Sequence, residues 1–157
     1  MTPEEKLAYA KSSAGRTKAQ NYLYEMQNID NMVALKLARL DDFREKHQRV
    51  VRSLYAMNGV GPANAENDTV RQLTEMENDL RAEYHALLER QRQTKETIRQ
   101  VPNELQRTVL EMRYIDGLPF FRIAMAMNYE ERTIYRLHRK ALTQTALYLL
   151  ESGQIEA

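Results

Sequence analysis

NYEERTIYRLHRK, residues 128–140, is the stretch from which both fold and function are read. It places Arg132, Arg136, Arg139 and Lys140, together with Tyr135, on a helix that opens after a short turn at Asn128. Ile134, Leu137 and Ala141 recur at the spacing of the opposite face. Residues 132–140 carry four positive charges and no acid, in a chain whose net charge is only +1. Charge is therefore placed locally rather than spread over a generic polycation. An arginine-rich helix behind a tight turn has the form of an element that reads the DNA major groove.

The residues before this stretch supply the rest of such a module. Pro102 marks a boundary, and Asn103-x-x-Gln106 offers a helix cap. Leu105, Val109, Met112 and Ile115 then share one face, and Asp116-Gly117 ends the helix, with glycine suited to the left-handed residue that follows. Pro119 starts a short helix with Phe120, Ile123, Ala124 and Met127 as expected core, and Asn128 suits a left-handed turn. The last helix is predicted from about Glu130 to Glu151, and residues 152–157 are expected to fray.

Residues 101–142 resemble the fourth region of primary sigma factors and related helix-turn-helix regulators. Four features carry the resemblance: Val101-Pro102 with Glu104 and Arg107; Val109-Leu110 with Met112-Arg113-Tyr114 and then Gly117-Leu118; Ile123-Ala124 with Met127-Asn128; and Thr133-Ile134-Tyr135-Arg136 with Ala141-Leu142. The wider layout, a long helical hairpin before such a module, is similar to phage late-gene transcription regulators of the ArpU and RinA type. Two positions depart from the pattern. Pro119 stands where Thr is usual before the scaffold helix, and Glu130 where Ser is usual before the recognition helix. A glutamate is a poor N-cap side chain, although its charge suits a helix N-terminus.

Working further outward, a first helix is predicted from Arg16–Ala19 to about Tyr55. Its apolar seam is Tyr22, Met26, Ile29, Val33, Leu40, Phe43, Val50 and Leu54, widened by Leu37 and Val51 and interrupted by Lys36 and His47. Residues 56–68, with Gly59, Gly61 and Pro62, break it. Thr69-x-x-Gln72 reads as the cap of a second helix running to about Gln100, with Val70, Leu73, Leu80, Tyr84, Leu87 and Ile98 on one face and Glu77, Gln91 and Thr94 interrupting it. Residues 89–97 are nearly all polar and read as a solvated link to the next module. Two long helices joined by a turn imply an antiparallel hairpin, or helices shared within a homo-oligomer.

Composition narrows the functions further. Five Gly and four Pro among 157 residues favour an all-helical chain. There is no Cys, so disulfides and thiolate metal sites are excluded. His47, His85 and His138 have no metal-ligand spacing between them, and no phosphate-gripping loop or nucleophile elbow occurs. No metal, no cofactor and no enzymatic activity are expected. The first residues lack a signal-peptide core and no apolar run is long enough to span a membrane, so the expected compartment is the cytoplasm.

The sequence thus predicts an all-α chain in four parts: a flexible N-terminus, 1–16; a long helical hairpin or coiled-coil stalk that oligomerises, 17–100; a three-helix sigma-like helix-turn-helix, 101–151; and a tail, 152–157. The expected function is sequence-specific binding of double-stranded DNA by a phage-type transcription regulator. Arg132 and Arg136 are expected at base edges and Arg139, Lys140 and Arg122 at phosphates, with Glu131, Thr133 and Tyr135 completing the interface. The alternatives are a small terminase subunit for DNA packaging, which would form a large ring, and an adaptor that binds RNA polymerase without reading DNA. Phe121 and Met125 exceed the needs of a three-helix core, which leaves them for a protein partner.

Overall fold

The computed structural model describes residues 1–58 and 68–157. The break expected at 56–68, with Gly59, Gly61 and Pro62, lies outside the described residues except at its ends, as does the side chain of Met26. The described residues are all-α, with no strand among them. In chain order the helices are α1 (Pro3–Lys11), α2 (Ser13–Asn58), α3 (Asp68–Arg99), α4 (Glu104–Leu110), α5 (Phe120–Met127) and α6 (Glu131–Glu151). α4 continues into a π-helical turn over Glu111–Ile115. The chain forms two compact units, Asp30–Arg90 and a second made of Met1–Ile29 with Gln91–Ala157.

In the Asp30–Arg90 unit the predicted seam is the inner face, except at Leu37, which is 40 % exposed. Val33, Lys36, Leu40, Phe43, His47, Val50 and Leu54 are at least half-buried, at alternating steps of three and four; so are Val70, Leu73, Glu77, Leu80, Tyr84 and Leu87. That is the heptad pattern of two helices packed seam to seam. Contacts pair rising numbers on α2 with falling numbers on α3: Lys36 with Glu83 at 2.5 Å, Arg44 with Glu77 at 3.3 Å and His47 with Glu77 at 3.6 Å. The hairpin is therefore antiparallel. His47 and Glu77, which interrupt the seams of separate helices, meet in one polar layer, and Thr74 Oγ1 lies 3.5 Å from His47 Nε2. Leu40, 4 % exposed, is the one buried side chain among the described residues of this unit.

The other unit holds two clusters of apolar side chains. Val109, Ile123, Ala124 and Ile134, with Phe120, Met127 and Leu137 beside them, fill the space between α4, α5 and α6. This is the three-helix core that the sequence predicts. The second cluster joins Leu110, Tyr114, Ala141, Leu142 and Ala146 to Ala10 of α1, Ala19 and Leu23 of α2, Ile98 at the end of α3 and Val101 just beyond it.

This second cluster corrects the expected boundaries. Residues 1–16 are not a flexible tail. Thr2 and Glu5 form a reciprocal capping box, with Glu5 N–H to Thr2 Oγ1 at 3.1 Å and Thr2 N–H to Glu5 Oε2 at 2.8 Å, and Pro3 takes the first helical turn. Ser12 both ends α1 and caps α2, its Oγ accepting from Gly15 N–H at 3.1 Å. A Cβ at Gly15 would run into the carbonyl of Tyr9, so the close turn between α1 and α2 requires glycine. Nor is the 89–97 link fully solvated: Thr94 and Thr97 are buried, and Thr97 Oγ1 is satisfied by the Gln93 carbonyl at 2.9 Å.

The tail is held as well. Gly153 is left-handed (φ 73°), Gly153 N–H meets Leu150 C=O and Gln154 N–H meets Leu149 C=O at 2.8 Å, the paired bonds of a Schellman turn. Tyr22 Oη then donates to Gln154 Oε1 at 2.8 Å. Leu105, expected in the core, is instead 42 % exposed within an exposed run over 102–105.

Candidate nucleic-acid interface

The turn between α5 and α6 fixes where α6 begins. Asn128 is the one non-glycine residue with positive φ among the described residues (φ 57°, ψ 44°), as its side chain type allows. Tyr129 N–H bonds Ala124 C=O at 3.0 Å and Asn128 N–H bonds Met125 C=O at 3.3 Å, which ends α5 sharply. Glu130 is extended and caps α6 with its carbonyl alone, to Thr133 N–H at 3.0 Å and Ile134 N–H at 3.2 Å; its side chain makes no cap. Pro119 likewise caps α5 without a side-chain bond.

α6 separates its faces as predicted. Ile134 and Ala141 are buried and Leu137 and Thr133 half-buried, while Glu131, Arg132, Tyr135, Arg136, Arg139 and Lys140 are exposed. Arg132, Arg136 and Lys140 follow one another at i, i+4 and i+8, on one side of the helix over about 12 Å. Among the described residues, none of Arg132, Arg136, Arg139 and Lys140 forms an ion pair. Their charge is offered to solvent. Arg122 is exposed on α5.

Beneath this face lies a group that the sequence reading did not assemble. His138, in the middle of the basic helix, is buried, and its Nε2 is 2.7 Å from Tyr114 Oη. Phe120 meets the His138 ring edge-on with centroids 4.9 Å apart, and packs against Tyr135 at 4.7 Å. The Arg113 guanidinium lies 4.6 Å from the Phe120 ring and donates to Leu118 C=O at 3.1 Å. Burial holds the His138 pKa well below its ordinary value, at about 4, and the Arg113 charge acts in the same direction. Burial also pushes the Tyr114 phenol up. Both partners are therefore neutral at physiological pH. The signal was present in the spacing, since 134, 138, 141 and 145 recur on one face of α6 and all are buried.

Two kinds of surface flank the turn. On one side Phe121, Met125 and Tyr129, respectively 51, 76 and 42 % exposed, share a shallow groove with Glu130 and Glu131. On the other, Tyr135 and Arg139 share a groove with Ser13, Arg16, Thr17 and Gln20 at the start of α2. Among the described residues no cluster of side chains suits a metal ion, and no helix is long and apolar enough to cross a membrane.

Residues 54–146, more than half of the chain, match the family described as "Protein of unknown function (DUF1492)". No curated protein and no solved structure matches the chain. The matched stretch takes in α3 to α5 and the greater part of α6, whereas α1 and nearly all of α2 precede it.

Proposed function

The chain belongs to that family, and we propose that it is a sequence-specific double-stranded DNA-binding protein of the transcription-regulator type, with α6 as the reading helix. The observation that carries this reading is the exposed, unpaired stripe of Arg132, Arg136 and Lys140 behind a sharp left-handed turn at Asn128. A guanidinium can grip guanine bidentately, so Arg132 and Arg136, near the start of α6, meet base edges. Arg139 and Lys140, further along, meet phosphate. The pattern of apolar residues that holds α5 against α6, Ile123 and Ala124 on Ile134, supports the same assignment. Such a module alone buries a small interface, and pairing through the Asp30–Arg90 hairpin would supply two half-sites.

The test is selection of a preferred duplex from random sequence with the full chain, followed by binding of variants. Arg136→Ala is expected to cost about 1–3 kcal/mol on the preferred duplex and to relax base preference, while Lys140→Ala weakens all duplexes alike. No salt-dependent duplex binding by the wild type at low ionic strength would refute the reading.

One observation favours a second reading. An apolar patch of Phe121, Met125 and Tyr129 beside two carboxylates suits a protein better than a phosphate backbone. In that case the protein is an adaptor, with RNA polymerase as the candidate partner. Phe121→Ser with Met125→Ser would then abolish capture of RNA polymerase, and the wild type would show no salt-dependent duplex binding.

A further inference from the structure

We propose that the junction of α1 and α2 is part of the DNA interface, binding a phosphate of the duplex backbone next to the site read by α6. This rests on the proposed function. It extends that function to a segment that the sequence reading treats as a flexible tail and that lies outside the family match.

A shallow groove is lined by four cations, Lys11, Arg16, Arg139 and Lys140, and by the neutral side chains Gln106, Thr143 and Gln144. It contains no carboxylate. The adjoining groove shares Arg16 and Arg139 and leads to Tyr135, again with no acidic side chain among its lining residues. A continuous acid-free track therefore joins the exposed face of α6 to Lys11. Cations interleaved with amide and hydroxyl donors are the side chains that meet phosphate and sugar oxygens.

The placement is built rather than incidental. The Arg16 guanidinium donates to the Lys11 carbonyl, which ties the two cations across the junction. Ala10 and Ala19 on either side are fully buried, so the junction cannot swing away. The spacing also fits a duplex. Lys140 is eight residues, about 12 Å, along α6 from Arg132, and the major groove is about 12 Å wide. With Arg132 at base edges, Lys140 stands at the rim of the groove, and Lys11 and Arg16 face the flanking strand.

The experiment measures duplex binding by the full chain as a function of salt, on preferred and random sequences, for wild type, Lys11→Gln, Lys11→Glu and Arg136→Ala. Lys11 is exposed, and circular dichroism checks that its variants keep the wild-type fold. The expected result for Lys11→Gln is a slope of log K against log salt shallower by about 0.9, the loss of one phosphate contact, with equal weakening on both duplexes. Lys11→Glu should weaken binding further. Wild-type slope and affinity in both Lys11 variants, with preference lost in Arg136→Ala, would overturn this proposal and leave the reading of α6 standing. Absence of duplex binding by the wild type would overturn both. A parallel titration with inorganic phosphate separates the sources: saturable phosphate binding lost in Lys11→Gln, without change on duplex, would assign the groove to a free anion and overturn the backbone contact.

Discussion

The phenol oxygen of Tyr114 and Nε2 of His138 lie 2.7 Å apart, joining the π-helical turn after α4 to the middle of α6. The π-turn contributes to this placement: Asp116 N–H reaches back five residues to Glu111 C=O at 3.0 Å, and the extra residue in the turn leaves Tyr114 fully buried with Ile115 only half-buried. Tyr135, Arg136 and Arg139 sit within one helical turn of His138 on the outer side. The bond thus fixes the height and rotation of the exposed face on a buried strut.

This strut makes stability depend on pH in a defined window. The folded pKa of His138 is about 4 against an ordinary value of 6.5, so the unfolded chain takes up the proton first as pH falls. The contribution is complete above pH 6.5 and is lost progressively toward pH 4, by roughly 3 kcal/mol from this group. Carboxylates contribute to any acid unfolding, so the comparison is with His138→Gln. Urea midpoints measured between pH 7 and 4 should fall more steeply for wild type than for the variant. Parallel slopes would show that His138 is not the titrating group.

Tyr114→Phe leaves His138 Nε2 buried without its partner, at an expected cost of about 1–3 kcal/mol. The ring stacking with His138, at 5.8 Å, survives the change, so the fold should persist. Thermal melting should show a lowered midpoint with an unchanged helical spectrum. A midpoint equal to wild type would mean that water replaces the hydroxyl.

Periodicity was enough for some parts of this fold and insufficient for others. The seam of α2 and α3 was legible because apolar residues at steps of three and four specify a face regardless of what packs on it. The inner face of α6 was legible for the same reason at Ile134 and Ala141. What packs on a face was less legible. For His138 the sequence excluded only a metal-ligand spacing, and the bond to Tyr114, which spans 24 residues, leaves no local signal. α1 was missed although Thr2, Pro3 and Glu5 spell its cap, because nine residues of low amphipathicity carry no face to recognise. The π-turn has no sequence signature at all. Arg107 and Arg113, prominent in the resemblance, proved to hold backbone carbonyls of Val101 and Leu118 rather than to face outward.

Gly15→Ala tests whether the α1–α2 junction is as tight as its geometry requires. The added methyl meets the Tyr9 carbonyl, which belongs to the backbone and cannot rotate away. α1 must shift, uncovering Ala10 and the α6 surface it packs against. Proteolysis of the variant should cut within the first fifteen or so residues much faster than in wild type, with a loss of about 1–3 kcal/mol in stability. Equal resistance would mean that the junction adjusts freely.

The Asp30–Arg90 hairpin should self-associate. One seam between two helices leaves most of its residues only half-buried, and Met32, Leu35, Leu37 and Met76 are 44, 59, 40 and 52 % exposed. Apolar surface left in this way is what a contact with another chain would bury. Sedimentation should give an oligomer that Leu35→Lys with Met32→Lys dissociates. A monomer at high micromolar loading would refute this. Leu40→Ala, which empties the best-buried position, should cost about 2–5 kcal/mol in either case.

Glu131 opens α6 in its first turn, where the helix macrodipole is positive and an acid is favourable. In the free protein it belongs there. On DNA it stands one residue from Arg132, at the end of the helix assigned to base reading, and a carboxylate there repels phosphate unless it accepts from a cytosine amino group. The two roles predict opposite results for Glu131→Gln. If the carboxylate only stabilises the helix, the variant melts slightly earlier and binds every duplex somewhat more tightly, since one repulsion is gone. If it reads a base, the preferred duplex binds more weakly while random duplex binds more strongly. Among the described residues neither Arg132 nor Arg136 pairs with a carboxylate, so no ion pair with either of them turns Glu131 away from the bases. The expected outcome is therefore loss of discrimination, measured by competition between preferred and random duplexes. Discrimination equal to wild type would assign Glu131 to the helix alone.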